Sequence, residues 1–154
     1  MQINSFFQTS LYDGKIFWST LHQNIETMKA IEKQFSQWVD ETLSGDLPEG
    51  IAAFHFNLYD SPTSHELQIV GCPTYDPQDP DWACDDIFMS DDPHFELPHE
   101  VVGSEWEKGL AAARKLLGSY VASEAAGALR LRQSQAVSAG FVDGELHLIW
   151  SRDA

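Results

Sequence analysis

Lysine and arginine are scarce in this chain, nine in 154 residues, and between Lys33 and Lys108 there are none. The same central stretch holds 17 of the 24 aspartates and glutamates, and the net charge is −15. A field of one sign repels nucleic-acid phosphates and anionic lipid and attracts basic molecules. Neither nucleic acid nor a membrane surface is therefore expected as a partner, whereas a basic protein is. Cysteine is nearly absent too. Cys72 and Cys84 alone make no disulfide framework, and reduced thiols in a cytoplasmic protein are the expectation. No apolar run approaches the roughly 18 residues of a membrane helix. The first fifteen residues lack the basic region and apolar core of a signal peptide.

Catalytic signatures are missing as well. There is no G-x-S-x-G elbow, no P-loop and no dinucleotide fingerprint. Cys84, in Trp82-Ala83-Cys84-Asp85-Asp86, has carboxylates beside it that oppose the thiolate a cysteine enzyme needs. Carboxylate pairs suit general acid–base work, but in a chain this acidic any pair arises cheaply. The expectation is a protein that is not an enzyme.

What the chain does have is enough apolar sequence, 43% of residues, for a packed core, and no repeat or linker that divides it. A single α+β domain over 1–154 is expected. After a turn-like Tyr12-Asp13-Gly14, apolar residues recur at helical spacing from Phe17 through Leu21, Ile25, Met28, Ile31, Phe35, Val39 and Leu43, until Gly45 and Pro48 stop them. Ile51–Tyr59 alternates as a strand, and Glu66–Cys72 is its antiparallel partner across Asp60-Ser61-Pro62. Ser104-Glu105-Trp106-Glu107 matches a capping box opening a second helix, with Trp106, Leu110, Ala113, Leu117, Tyr120 and Val121 on its apolar face. Ala136–Val142 and Glu145–Trp150 flank Asp143-Gly144, the dipeptide of a two-residue type I′ turn. The order α-β-β-α-β-β predicts a two-layer sandwich, two amphipathic helices on one face of an antiparallel sheet.

From Pro73 to His99 periodicity lapses, apart from a short strand near Ile87–Met89, and five of the seven prolines fall there. Loops this long are functional or mobile. Asp76, Asp79, Asp81, Trp82, Asp85, Asp86, Asp91 and Asp92 are the candidate partner-binding residues. The carboxylates would steer a basic partner. Trp82 either plugs the loop onto the core or, with Phe88 or Phe95, anchors the partner. No metal and no cofactor is expected. The loop has no D-x-D-x-D-G calcium pattern. His94 and His99, with Asp91, Asp92, Glu96 and Glu100 nearby, match no zinc spacing, and Pro93 and Pro98 oppose the helix such pairs use. His55, His147 and His22 read as structural.

Asp81-Trp82-Ala83-Cys84 and Gly140-Phe141-Val142-Asp143-Gly144-Glu145-Leu146 prompt a resemblance. Over Ile51–Trp150 the chain loosely resembles bacterial immunity proteins of polymorphic and contact-dependent toxin systems. The resemblance implies a cytoplasmic, stoichiometric inhibitor of one basic toxin, possessing no residue-level binding map that carries over. Two rivals stand beside it: a small enzyme or ligand carrier with a pocket under the acidic loop, and a housekeeping interaction protein.

Overall fold

A computed structural model describes the backbone of residues 8–153 and the side chains of residues 22–153. Contacts divide the chain into two compact units, residues 1–33 and 34–154, and each is taken by itself. The first is helical from residue 8, as part of α1 (Gln8–Leu43). Tyr12-Asp13-Gly14 lies inside this helix rather than in a turn, since a lone glycine costs a helix only about 1 kcal/mol. The side chains of Phe17 and Leu21 lie outside the described residues, and Ile25 is exposed.

In the second unit the end of α1 carries Phe35, Val39 and Leu43, one per turn, each nearly inaccessible. Phe35 meets Phe56 at 6.3 Å, Phe95 at 5.2 Å and Tyr120 at 5.9 Å between ring centroids, so it joins three segments of chain. Phe56 belongs to β1 (Ala53–Asp60), Phe95 to β4 (Phe95–Pro98) and Tyr120 to α3 (Trp106–Val121). β2 (Ser64–Cys72) returns antiparallel to β1 in unbroken register, from Ala53 opposite Cys72 to Asp60 opposite His65. The outer edge of β2 is shared by β3 (Phe88–Met89) and β4.

The fold is α+β, but its six-stranded sheet is mixed, not antiparallel. β5 (Ala136–Phe141) lies parallel to β1, Ala53 opposite Ala136 through Leu58 opposite Phe141, and β6 (His147–Ser151) closes the far edge. A parallel neighbour requires a crossover. Here α2 (His99–Val102), α3 and α4 (Ala126–Leu131) intervene between β4 and β5. Neither α2 nor α4 shows in the apolar periodicity, because each is too short to display it. Two local expectations also fail. Glu105, not Ser104, precedes α3, and it makes no side-chain cap. Asp143 and Gly144 have no positive φ, and Gly144 N–H donates to Phe141 O at 2.9 Å. The β5–β6 connection is thus a longer loop built on an ordinary β-turn, and type I′ geometry is absent from it.

Asp40 fastens α1 to the crossover. Its Oδ1 accepts from the Tyr120 hydroxyl and, at 2.9 Å, from Gly127 N–H. Burial first, and then the hydrogen bond to Asp40, raise the Tyr120 phenol above its usual range, so it remains a donor.

Side-chain alternation along β1 turns Phe54, Phe56 and Leu58 to the helices and Ala53, His55 and Asn57 to the opposite face. His55 is buried there, with its Nδ1 2.7 Å from Ser138 Oγ. Burial, opposed in part by Asn57, drives its pKa from 6.5 down to about 4. The unfolded ring takes up a proton that the folded one refuses. Stability should therefore be complete above pH 6.5 and fall toward pH 4, by on the order of 3 kcal/mol from this residue. Urea unfolding of wild type and His55→Gln at pH 7, 5.5 and 4 checks this. The variant should lose less stability across the window by about that amount, and equal losses would contradict it.

Candidate functional site

The acidic loop does not stand out in solvent as a single patch. It folds back across the sheet face opposite the helices, fixed by a short 3-10 helix, Pro80–Cys84. Asp79 caps this turn by accepting from Asp81 N–H at 3.0 Å, and Asp76 Oδ1 accepts from Gln78 N–H at 2.9 Å. Those two carboxylates shape the loop. The turn aims Trp82 inward, 6% exposed, onto Ala53, Val70, Cys72 and Ala136. Trp82 is therefore a core plug and not a surface anchor. An indole offered a flat sheet of small residues gains more by burial than by solvation. Phe95, 7% exposed and 5.5 Å from Trp38, is likewise core, while Phe88 is half-buried at the sheet edge. Burial first, and then Asp86 and Asp85, push the Cys72 thiol beneath Trp82 up to about 12, which makes it inert.

Asp81, Asp85 and Asp86 are exposed around this plug. Asp91 and Asp92, also exposed, lie beyond β3, where Asp92 Oδ1 is 3.2 Å from His94 Nε2. His94 also faces Glu66 at 3.4 Å and stacks on Tyr59 at 5.5 Å. The eight expected residues thus divide: two shape the loop, one is core, three surround the plug, Asp92 sits with His94, and Asp91 is exposed beside it in the chain.

The concave surface lies beside the β5–β6 loop, with a hollow on either side that shares Phe141, Gly144 and Glu145. The one under the acidic loop measures about 450 Å³ and includes His55, Asn57, Asp81 and Cys84. The other, about 580 Å³, has Leu110 and Phe141 as apolar lining, Asp60, Asp143 and Glu145 as carboxylates, His147, and Trp106 as a wall. Trp106 is 56% exposed and meets Phe141 edge-on at 6.4 Å. Its place in the apolar spacing of α3 suggested core, but it occupies the first helical position and overhangs the sheet. An exposed indole beside three carboxylates, with no Lys or Arg in the lining, suits a cationic side chain.

Asp60 also connects this hollow to a group that sequence spacing does not disclose. Across the β1–β2 turn its Oδ1 lies 2.6 Å from Nδ1 of His65, which is fully buried. His65 Nε2 is 2.9 Å from Gly103 O. Gly103 has φ +102°, which favours glycine, and Gly109 lets α3 settle on the His65 ring, where a Cβ would collide. His99 Nε2 is 3.7 Å from Asp60 Oδ1, too long for a hydrogen bond, and this buried nitrogen has no hydrogen-bond partner. The ligating atoms of Asp60, His65 and His99 lie within 4.8 Å of one another. His99 thus joins His65 and Asp60 instead of His94. The signal available in the sequence was that Asp60 and His65 flank one hairpin turn.

Comparison with family models, curated proteins and solved structures finds no match. No described helix is long and apolar enough to cross a membrane.

The two tryptophans should separate by stability. Trp82→Ala should cost about 3–5 kcal/mol, as large core truncations do, and Trp106→Ala less than about 1 kcal/mol. Denaturant unfolding of the two variants measures both, and similar losses would contradict their placement.

Proposed function

We propose that this protein is a stoichiometric binder of a basic protein, an immunity-type inhibitor of a basic toxin acting in the cytoplasm, and that it works by occupancy without turnover. The observation that carries the reading is the hollow that sets the exposed Trp106 among Asp60, Asp143 and Glu145. A cationic side chain of the partner enters it, held by carboxylates and the indole face. Asp81, Asp85 and Asp86 on the other side of the same loop extend the negative surface and steer the approach. Nuclease toxins are often basic, and a tight complex over their active surface blocks substrate. The toxin as partner class follows from the resemblance to immunity proteins, and the basic character of the partner follows from the charge.

The hollow under the acidic loop supports a second reading, a carrier of a small ligand seated over His55 and Asn57. It differs in outcome: binding of such a ligand would be indifferent to Trp106.

The test is binding kinetics with a basic toxin domain encoded next to this chain, at low and high salt. Charge reversal at Asp81, Asp85 and Asp86 should slow association about ten-fold or more at low salt. The effect should fade near 1 M salt, where screening shortens to roughly 3 Å. Trp106→Ala should instead speed dissociation at either salt, by about 2 kcal/mol or more. A complex that ignores both changes, or no 1:1 complex at all, would refute the reading.

A further inference from the structure

Asp60, His65 and His99 converge at the β1–β2 turn, and one buried ring nitrogen among them has no partner. The Gly103 carbonyl only accepts, so His65 Nε2, 2.9 Å away, must donate to it. That leaves Nδ1, 2.6 Å from the Asp60 carboxylate, facing another acceptor. However protons are shared within that pair, His99 Nε2 stays buried without a partner. A cation shared by the three satisfies every one of these atoms at once.

We propose that Asp60, His65 and His99 form a binding site for a divalent first-row metal ion of the zinc class. Two imidazole nitrogens and one carboxylate oxygen match that ion's ligand preferences, and three protein ligands leave a coordination position open. The backbone carbonyl of Gly103 holds the His65 ring from behind. This is the outer-shell partner that fixes the tautomer in metal-binding histidines and turns Nδ1 toward the ion. Bonds of about 2.0–2.2 Å hold ligand atoms roughly 3.3 Å apart in a tetrahedral shell. The 2.6 Å pair must therefore widen and the 3.7 Å pair close. Asp60 sits at a turn with its side chain 52% exposed, so it is free to make most of that adjustment. Asp60, the exposed member of the three, also lines the hollow beside Trp106. Gly109 supports the site from above, because a side chain there would displace the His65 ring. The site shares Asp60 with the hollow proposed for the partner but uses neither Trp106 nor the acidic loop, so metal titration of the free chain tests it apart from that reading.

The experiment is calorimetric titration of the chelator-treated full chain with Zn²⁺, with the visible absorption of Co²⁺ as a readout of the ligand set. One equivalent should bind, and Zn²⁺ should raise the melting temperature. Asp60→Asn and His99→Ala should each weaken binding at least about ten-fold, since outer-shell partners alone are worth 10–100-fold. Charge reversal at Asp81, Asp85 and Asp86 should leave it within about two-fold, there being no shared ligand. Failure to bind one equivalent overturns the site, as does wild-type affinity in Asp60→Asn or loss of binding only in the loop variant. Should His99→Ala fail to fold, the half-exposed Asp60→Asn decides the matter alone.

Discussion

The parallel seam between β1 and β5 is the constraint on which the rest depends. Because Leu58 lies opposite Phe141, the end of β5 arrives beside the end of β1. The loop that follows is thereby delivered between Asp60 and Trp106 on one side and the acidic turn on the other. An antiparallel arrangement of two hairpins would have carried that loop to the opposite end of the sheet. Both hollows, and the company that Asp60 keeps, follow from this pairing. The seam in turn is secured from the helix side by the cluster around Phe35 and from the other side by Trp82 over Ala53 and Ala136.

Much of this was legible in the sequence, and the failures have physical causes. Strict alternation and a tight turn made β1 and β2 readable almost to the residue, and seven-turn periodicity did the same for the end of α1. Periodicity reports which face a residue lies on, not what covers it. Trp106 fitted the apolar face of α3 yet is more than half exposed, because at the first helical position it meets only the edge of Phe141 beside an open hollow. Trp82, in a polar loop, went the other way: a 3-10 turn capped by Asp79 points it at the sheet. The β1–β5 pairing joins segments 83 residues apart and leaves no local trace. The same holds for His99 against His65, which share neither an element nor a motif spacing.

The charge asymmetry reads differently once the chain is folded. Seventeen carboxylates between two lysines imply one acidic surface, but several are committed to local structure. Asp40 fastens α1, Asp76 and Asp79 shape their own loop, and Asp60 faces His65 as well as the hollow. Asp81, Asp85 and Asp86 remain exposed near the β5–β6 loop, where Asp143 and Glu145, from outside that stretch, join them. A surface of this kind has few groups and a defined centre, as recognition sites do, with an aromatic residue flanked by charge.

Hydrogen exchange of the chain, free and mixed with the proposed basic partner, tests the central claim most directly. The account predicts slowed exchange concentrated in residues 141–147 and around Trp106 and Asp60. Protection confined to the β3–β4 edge or to residues 22–33, with the β5–β6 loop unchanged, would contradict it.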